Sequence, residues 1–367
     1  MPAAKPTARS IIRSLEVSRK RHLFLTGSRG AGKSTLARQL LPLLADAPVP
    51  GFATHVTPQT CVTLQDLTTG RSGIIGAATR SRQPGLGMRC VEEGFLSVGV
   101  PALQTAAEAP CAWALLDELG YLESACTPFC ASVEALLGTK RVLAVLRKQD
   151  TPFLSRLRSR PDVFLLDLDI PFPSVGCVVM ASGLGRRFGS NKLLAGFDGQ
   201  PLIQRALTLA GSGLFAADLT VTRHDGVQAL CQTQHRPVLL HSEPHRSDTV
   251  RLGLSALLQQ CPQLQACLFL PGDQPLFSAE SLSSLLLLAD PHAIWRTCNS
   301  GGAGSPVLFG RDYFDELLHL TKGGGSEVLQ RHPDAVHLLP CPDCELRDAD
   351  TPAALAELEK SLRYFLT

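Results

Sequence analysis

The chain has 367 residues, of which 44% are hydrophobic and 19% charged, and its formal net charge is +2. That length exceeds one ordinary domain and suits two, each with its own core. The near-neutral balance gives no broad electrostatic case for nucleic acid or an anionic membrane, and no apolar run reaches the ~18 residues of a membrane span.

The first residues are polar and basic, with no secretory apolar core behind them. The short basic stretch at 19–22 reads as a solvated helix end. Residues 23–26 form an apolar strand, a Gly-rich loop follows, and 35–44 carry helical periodicity. Another buried-type strand covers 113–116 and ends in Asp117-Glu118. Residues 129–137 read as a helix, and 142–146 and 163–166 as strands. This alternation predicts a largely parallel sheet with helices on both faces.

The pattern breaks at 169–174, where two prolines stand within three residues, as in a linker. It then resumes with strands at 175–180, 219–222 and 266–270. Helices are expected at 201–210, 249–259 and 281–288. The expected fold is α/β with two domains, 1–170 and 175–367. Each half contains one loop suited to phosphates.

The first loop is Gly27-Ser-Arg-Gly30-Ala-Gly32-Lys33-Ser34, which fits the P-loop pattern in full. Gly27, Gly30 and Gly32 let the backbone curl so that N–H groups face phosphate oxygens. Lys33 would reach the β- and γ-phosphates, and Thr35 opens the helix behind them. The Ser34 hydroxyl and the strand-end carboxylate of Asp117 would hold Mg²⁺. Glu118 is placed to orient or deprotonate the attacking water. Arg71 and Arg80 flank a candidate loop over the phosphates, though surface arginine is the simpler reading.

The second loop, residues 180–192, lacks the Gly-Lys-Ser of a P-loop. Ala181, Ser182, Gly183 and Gly185 permit a tight backbone wrap, and Arg187 and Lys192 supply charge for an α-phosphate under attack. Downstream, Asp273 ends a strand within Pro271-Gly-Asp-Gln-Pro275. Asp348 and Asp350 lie in Arg347-Asp-Ala-Asp-Thr-Pro352, where they would either hold a metal or cap the helix that follows. Ser247, in Arg246-Ser-Asp-Thr249, is a candidate nucleotide contact or helix cap. His241 and His245 would reach a metal only if their surface loop gathers them. The twelve scattered cysteines read as free thiols of a cytoplasmic protein. Cys341-Pro-Asp-Cys344 has no second pair at zinc-site spacing and receives no role.

Two family resemblances rest on these residues. Gly27–Ser34, Gly51-Phe-Ala-Thr54 and Asp117-Glu-Leu-Gly-Tyr-Leu-Glu123 resemble the THEP1-like nucleoside-triphosphatases over roughly residues 20–168, which implies a P-loop NTPase sheet and slow NTP hydrolysis. The loop at 180–192, with Arg187, Gly189 and Lys192 on the family's Arg, Gly and Lys, resembles MobA-like nucleotidyltransferases. Leu270-Pro-Gly-Asp-Gln-Pro275, Gly304-Ser-Pro-Val-Leu-Phe309 and the segment 347–352 extend that likeness over about 175–360. It implies a Rossmann-like sheet, with Asp273 and Asp348 as Mg²⁺ ligands and Arg187 and Lys192 as charge-stabilising catalytic groups. Gly323-Gly-Gly325 stands where relatives often show Gly-Asp-x-Gly.

The short spacing Gly189-Ser-Asn-Lys192 resembles the cytidylyl-transferring branch. The resemblance therefore implies transfer of CMP from CTP to a molybdopterin-type cofactor, with a molybdenum hydroxylase as a candidate client. Two other readings stay open. One is a nucleotidyltransferase for another phosphorylated acceptor, and the other is a nucleotide-gated cofactor-delivery factor.

Overall fold

The computed structural model describes residues 5–79, 88–183, 188, 189 and 191–365. The chain divides into two compact units. One runs from Ile11 to Pro171, and the other takes Phe172 onward together with the residues up to Ser10.

The first unit is built on eight strands: β1 (His22–Thr26), β2 (Gly51–Thr57), β3 (Cys61–Asp66), β4 (Ser72–Ala78), β5 (Met88–Cys90), β6 (Trp113–Leu119), β7 (Arg141–Leu146) and β8 (Val163–Asp167). Their order across the sheet is β5-β4-β3-β2-β6-β7-β1-β8. The section β2-β6-β7-β1-β8 is parallel. All five residues of β1 are buried, as a strand covered on both faces requires.

The expected parallel sheet is here extended by three antiparallel strands. The cause is local. Only three residues, 58–60, separate β2 from β3, too few for a parallel crossover. Along β3 the side chains alternate between buried and half-buried, the mark of a sheet with one wetter face. Phe52, Phe95 and Phe129 stack at the centre of the core, with centroids 5.5 and 4.8 Å apart.

The second unit holds β9 (Val175–Ala181), β10 (Gly196–Phe197), β11 (Gln200–Pro201), β12 (Ala217–Thr222), β13 (Val238–Leu240), β14 (Ala266–Pro271), β15 (Ile294–Asn299), β16 (Gly302–Gly310) and β17 (Val336–Pro340). Seven of them form one sheet, ordered β13-β12-β9-β14-β16-β15-β17, and β10 and β11 form a small hairpin. Strand β9 lies between β12 and β14 and is parallel to both. The helix Arg246–Gln260 packs Val250, Leu254 and Leu257 onto this centre. A Cβ at Gly253 would stand 2.7 Å from Val178 Cγ1, so glycine lets helix and sheet approach.

The helix expected from 201 starts later, at Gln204. The hairpin between β10 and β11 takes up the preceding residues. Its turn, Asp198-Gly199, has φ of 51° and 74°, the left-handed pair favoured in a two-residue hairpin.

In the first unit, Glu123 is 4% exposed, and its Oε2 accepts the Gly120 N–H at 2.7 Å. Burial raises its carboxyl to about 7 from the ordinary 4.5. Its ionisation therefore opposes folding: the folded protein keeps a proton that the unfolded chain releases. Stability is fullest below about 4.5 and falls as pH rises through about 7, by on the order of 3 kcal/mol. The neutral Glu123→Gln variant should lack this decline. Melting temperatures of both proteins between pH 5 and 8 check it, and parallel curves would refute it.

Candidate active sites

The phosphate loop follows β1 and ends in the helix Lys33–Leu44. Gly27, Gly30 and Gly32 take φ of 143°, 82° and 95°, values that residues with a Cβ rarely adopt. The loop lines a cleft of 620 Å³ that includes Gly27, Gly30, Gly32, Lys33, Ser34, Thr35 and Glu118.

Lys33 is 8% exposed, and its Nζ donates to the carbonyls of Gly27 and Ser28 at 3.0 Å each. Ser34 Oγ donates to Asp117 Oδ1 at 2.9 Å, so hydroxyl and carboxylate converge as a Mg²⁺ pair requires. Burial raises the Asp117 carboxyl, and the Ser34 hydrogen bond opposes that rise. A divalent cation would offset this desolvated charge, so the residues fit the ion. Glu118 lies 3.9 Å from Lys33 Nζ and 3.1 Å from Arg147 Nε. Arg71 is exposed in the turn before β4 and is not among the residues lining the cleft. Arg80 lies outside the described residues.

Sequence reasoning missed Arg147, Lys148 and Gln149, which also line the cleft. They follow the buried strand β7, and the carboxyl ends of parallel strands are where α/β sheets bind ligands. It also missed Asp169. That carboxylate accepts the Ser28 N–H at 3.0 and 2.9 Å and the Ser28 hydroxyl at 2.8 Å. Lys148 Nζ joins it at 3.0 Å. These contacts, the Ser28 bonds first among them, hold the Asp169 carboxyl down at about 2.

The second site sits at the carboxyl ends of β9 and β14. A cleft of 480 Å³ is lined by Ser182, Gly183, Arg223, Arg246, Thr249, Asp273, Asp348 and Asp350, among others. Asn191 Oδ1 accepts the Leu193 N–H at 3.2 Å and caps the 3-10 turn Lys192–Leu194. That turn carries Lys192 inward until it is 8% exposed. Its Nζ lies 2.6 Å from Asp273 Oδ2 and 2.7 Å from Asp350 Oδ1. Burial alone would lower its pKa, but hydrogen bonds and charge from the two aspartates outweigh that and hold it above the usual lysine value.

Two loops present the carboxylates. The Asp273 carbonyl accepts the Ala349 N–H at 3.0 Å, and Gln274 Nε2 donates to Asp348 Oδ1 at 2.9 Å. Burial first, and the Asp273 charge second, push the Asp348 carboxyl up. Two crowded carboxylates of this kind fit a divalent cation, which would offset their repulsion.

Other expected contacts are distributed as follows. Ser182 Oγ lies 2.9 Å from His241 Nε2, while Ala181 is wholly buried and gives its carbonyl to Thr222 Oγ1. Ser247 is also wholly buried, donating to the Thr321 carbonyl; its neighbours Arg246 and Thr249 line the cleft instead. Gly185 and Arg187 lie outside the described residues. Arg223, unforeseen, sends Nε and Nη2 to the Ser182 carbonyl at 3.0 and 2.7 Å and fixes the start of the Gly-rich loop. Among the described residues, no cluster of three or more His, Cys, Asp or Glu could hold a metal. No described helix is long and apolar enough to cross a membrane.

Residues 177–336 match the family described as the MobA-like NTP transferase domain, and residues 22–171 match the NTPase family. The chain joins an NTPase of the THEP1 kind to a MobA-like NTP transferase. The transferase half is 30% identical over 89 residues to a 3-deoxy-manno-octulosonate cytidylyltransferase of Neisseria gonorrhoeae, a stretch that is 24% of this chain and 35% of that protein. The chain thus spans about a third of that relative's length. The NTPase half is 26% identical to the nucleoside-triphosphatase THEP1 of Thermotoga maritima, covering 40% of this chain and 86% of that one. A nucleotidyl transferase from Methanothermobacter thermautotroptrophicus superposes with a TM-score of 0.46 at 22% identity, over 52% of this chain and 99% of that one.

In the NTPase half, Glu118→Gln should lower NTP hydrolysis by roughly 10²–10⁴-fold, the usual worth of a general base, with nucleotide affinity retained. Lys33→Ala should weaken nucleotide binding as well. Phosphate release and fluorescent-nucleotide titration separate the two effects. Unchanged hydrolysis in Glu118→Gln would remove that residue from the chemistry.

Proposed function

We propose that the transferase half moves a nucleotidyl group, CMP by preference, from an NTP to the terminal phosphate of a molybdopterin-type acceptor. The observation that carries this is the single cleft in which Asp273, paired with Lys192 at 2.6 Å, and Asp348 meet the start of the Gly-rich loop. The preference for CMP is supported by the spacing Gly189-Ser-Asn-Lys192 and by the similarity to cytidylyltransferases.

The acceptor's phosphate oxygen attacks the α-phosphorus in line. The new O–P bond forms as the bond from the α-phosphorus to the bridging oxygen breaks, and pyrophosphate leaves with that electron pair. Lys192 offsets charge on the α-phosphate and the leaving group, with Arg187 as its partner from the loop. Asp273 and Asp348 would hold Mg²⁺, which when bound screens the approaching anions. The NTPase half hydrolyses NTP, with Ser34 and Asp117 as its Mg²⁺ ligands and Glu118 orienting the water. A molybdenum hydroxylase would be the client for the finished cofactor.

The test is transfer of label from α-³²P-CTP, GTP and ATP to molybdenum-loaded molybdopterin. Transfer from CTP is expected, with loss of at least about a hundredfold in Asp273→Asn. No transfer to intact cofactor would overturn the acceptor, and full activity in Asp273→Asn would overturn the metal assignment.

A further inference from the structure

Beside the carboxylate cleft lies a second, smaller cavity of 200 Å³. Met180, Arg246, Pro271 and Ser305 line both, so the two spaces adjoin. The smaller one has an apolar floor of Val250, Phe269, Val307, Phe309 and Leu329. Phe269 and Phe309 pack edge-on with centroids 5.8 Å apart. Gly324 and Gly325 bring bare backbone to its rim.

Two guanidiniums line this cavity, and no described carboxylate does. Arg296 is held on one side, with Nε on the Gly304 carbonyl at 3.2 Å and Nη2 on the Ala303 carbonyl at 3.0 Å. Those bonds fix the plane of the fork and leave Nη1 uncommitted among the described residues. Arg246 stands at the neck between the two spaces. It is exposed, and its side chain has no hydrogen bond or ion pair among the described residues. The nearby Asp248 is bound to Arg251 and to the His245 N–H instead.

Size separates the occupants. The 480 Å³ cleft falls within the ~300–1,000 Å³ range of sites for drug-sized molecules, and the smaller cavity falls below it. A volume of 200 Å³ holds one ring with an anionic group, since a water takes about 30 Å³ of liquid. A nucleotide belongs in the cleft that has the carboxylates and the Gly-rich loop.

We infer that the smaller cavity is the acceptor subsite. In it Arg246 and Arg296 hold an anionic group, phosphate or carboxylate, of an acceptor whose ring lies on the Phe269–Phe309 floor. This rests on the reading of the second unit as a nucleotidyltransferase. Two arginines with no carboxylate partner among the described residues give an anion charge-assisted hydrogen bonds in planar geometry. The aromatic floor selects a ring over a linear chain.

The test uses the full chain saturated with CTP and Mg²⁺. Phenyl phosphate, benzoate and methyl phosphate are titrated separately and followed by NMR of the small molecule. At least one ring anion should bind, more tightly than methyl phosphate. Arg246→Gln and Arg296→Met should each weaken it about tenfold, while CTP affinity in Arg296→Met stays within about twofold. Phenyl phosphate binding without benzoate would assign a phosphate ester; the reverse would assign a carboxylate. Should Arg296→Met fail to fold through loss of its carbonyl bonds, the exposed Arg246→Gln still decides.

The inference is overturned if no ring anion binds, if both variants bind as the wild type does, or if CTP affinity falls equally. Arginine-dependent binding without transfer to molybdopterin would retain the subsite and reject that acceptor. Transfer to molybdopterin with an unchanged acceptor KM in Arg296→Met would retain the acceptor and reject the subsite.

Discussion

The transferase cleft depends on one crowded charge arrangement. Lys192, almost wholly withdrawn from water, lies within 2.7 Å of Asp273 and Asp350. An ammonium in that position is costly unless its partners outweigh desolvation, and here they do. In return, the lysine lets three aspartates from two loops share one cleft. The Asn191 cap, the link from Asp273 to Ala349 and the bond from Gln274 to Asp348 all serve to hold these charges in place. Lys192 also opposes the rise that burial and the Asp273 charge impose on Asp348.

The NTPase half meets the same problem with a different construction. Its lysine rests first on two loop carbonyls at 3.0 Å, with the Glu118 carboxylate farther off at 3.9 Å, and its acidic pair sits at the end of β6. Positive φ at Gly30 and Gly32 turns the loop back on itself without side-chain strain. Both halves place their chemistry at the carboxyl ends of parallel strands, where loops converge and backbone ladders end.

Short-range patterns were legible in the sequence. The strand, glycine loop and helix at 22–44 announce themselves because each step uses neighbouring residues. That Lys192, Asp273 and Asp348 come together was also legible, since each stands beside a turn or strand end. The antiparallel extension from β2 to β5 was not read. Its signal lay in the alternation along Cys61–Asp66 and in the three-residue turn before it. The pairing of Arg246, which stands in a candidate stretch, with Arg296 was opaque for a different reason. Fifty positions apart in sequence, one opening the helix Arg246–Gln260 and the other within β15, they meet in one cavity only in the folded chain. Ser247 illustrates the limit of position alone: a helix's first turn offers several side chains to a site, and its packing decided that this one bonds Thr321.

One contact in the phosphate loop changes what nucleotide binding means there. The Asp169 carboxylate already accepts both donors of Ser28, so the loop carries an internal anion. A phosphate that takes those donors exchanges one negative partner for another, and its affinity is a difference between two ionic contacts. Asp169 stands only two residues before the end of its unit at Pro171. Occupancy of the loop and the Ser28–Asp169 contact therefore belong to a single competition equilibrium.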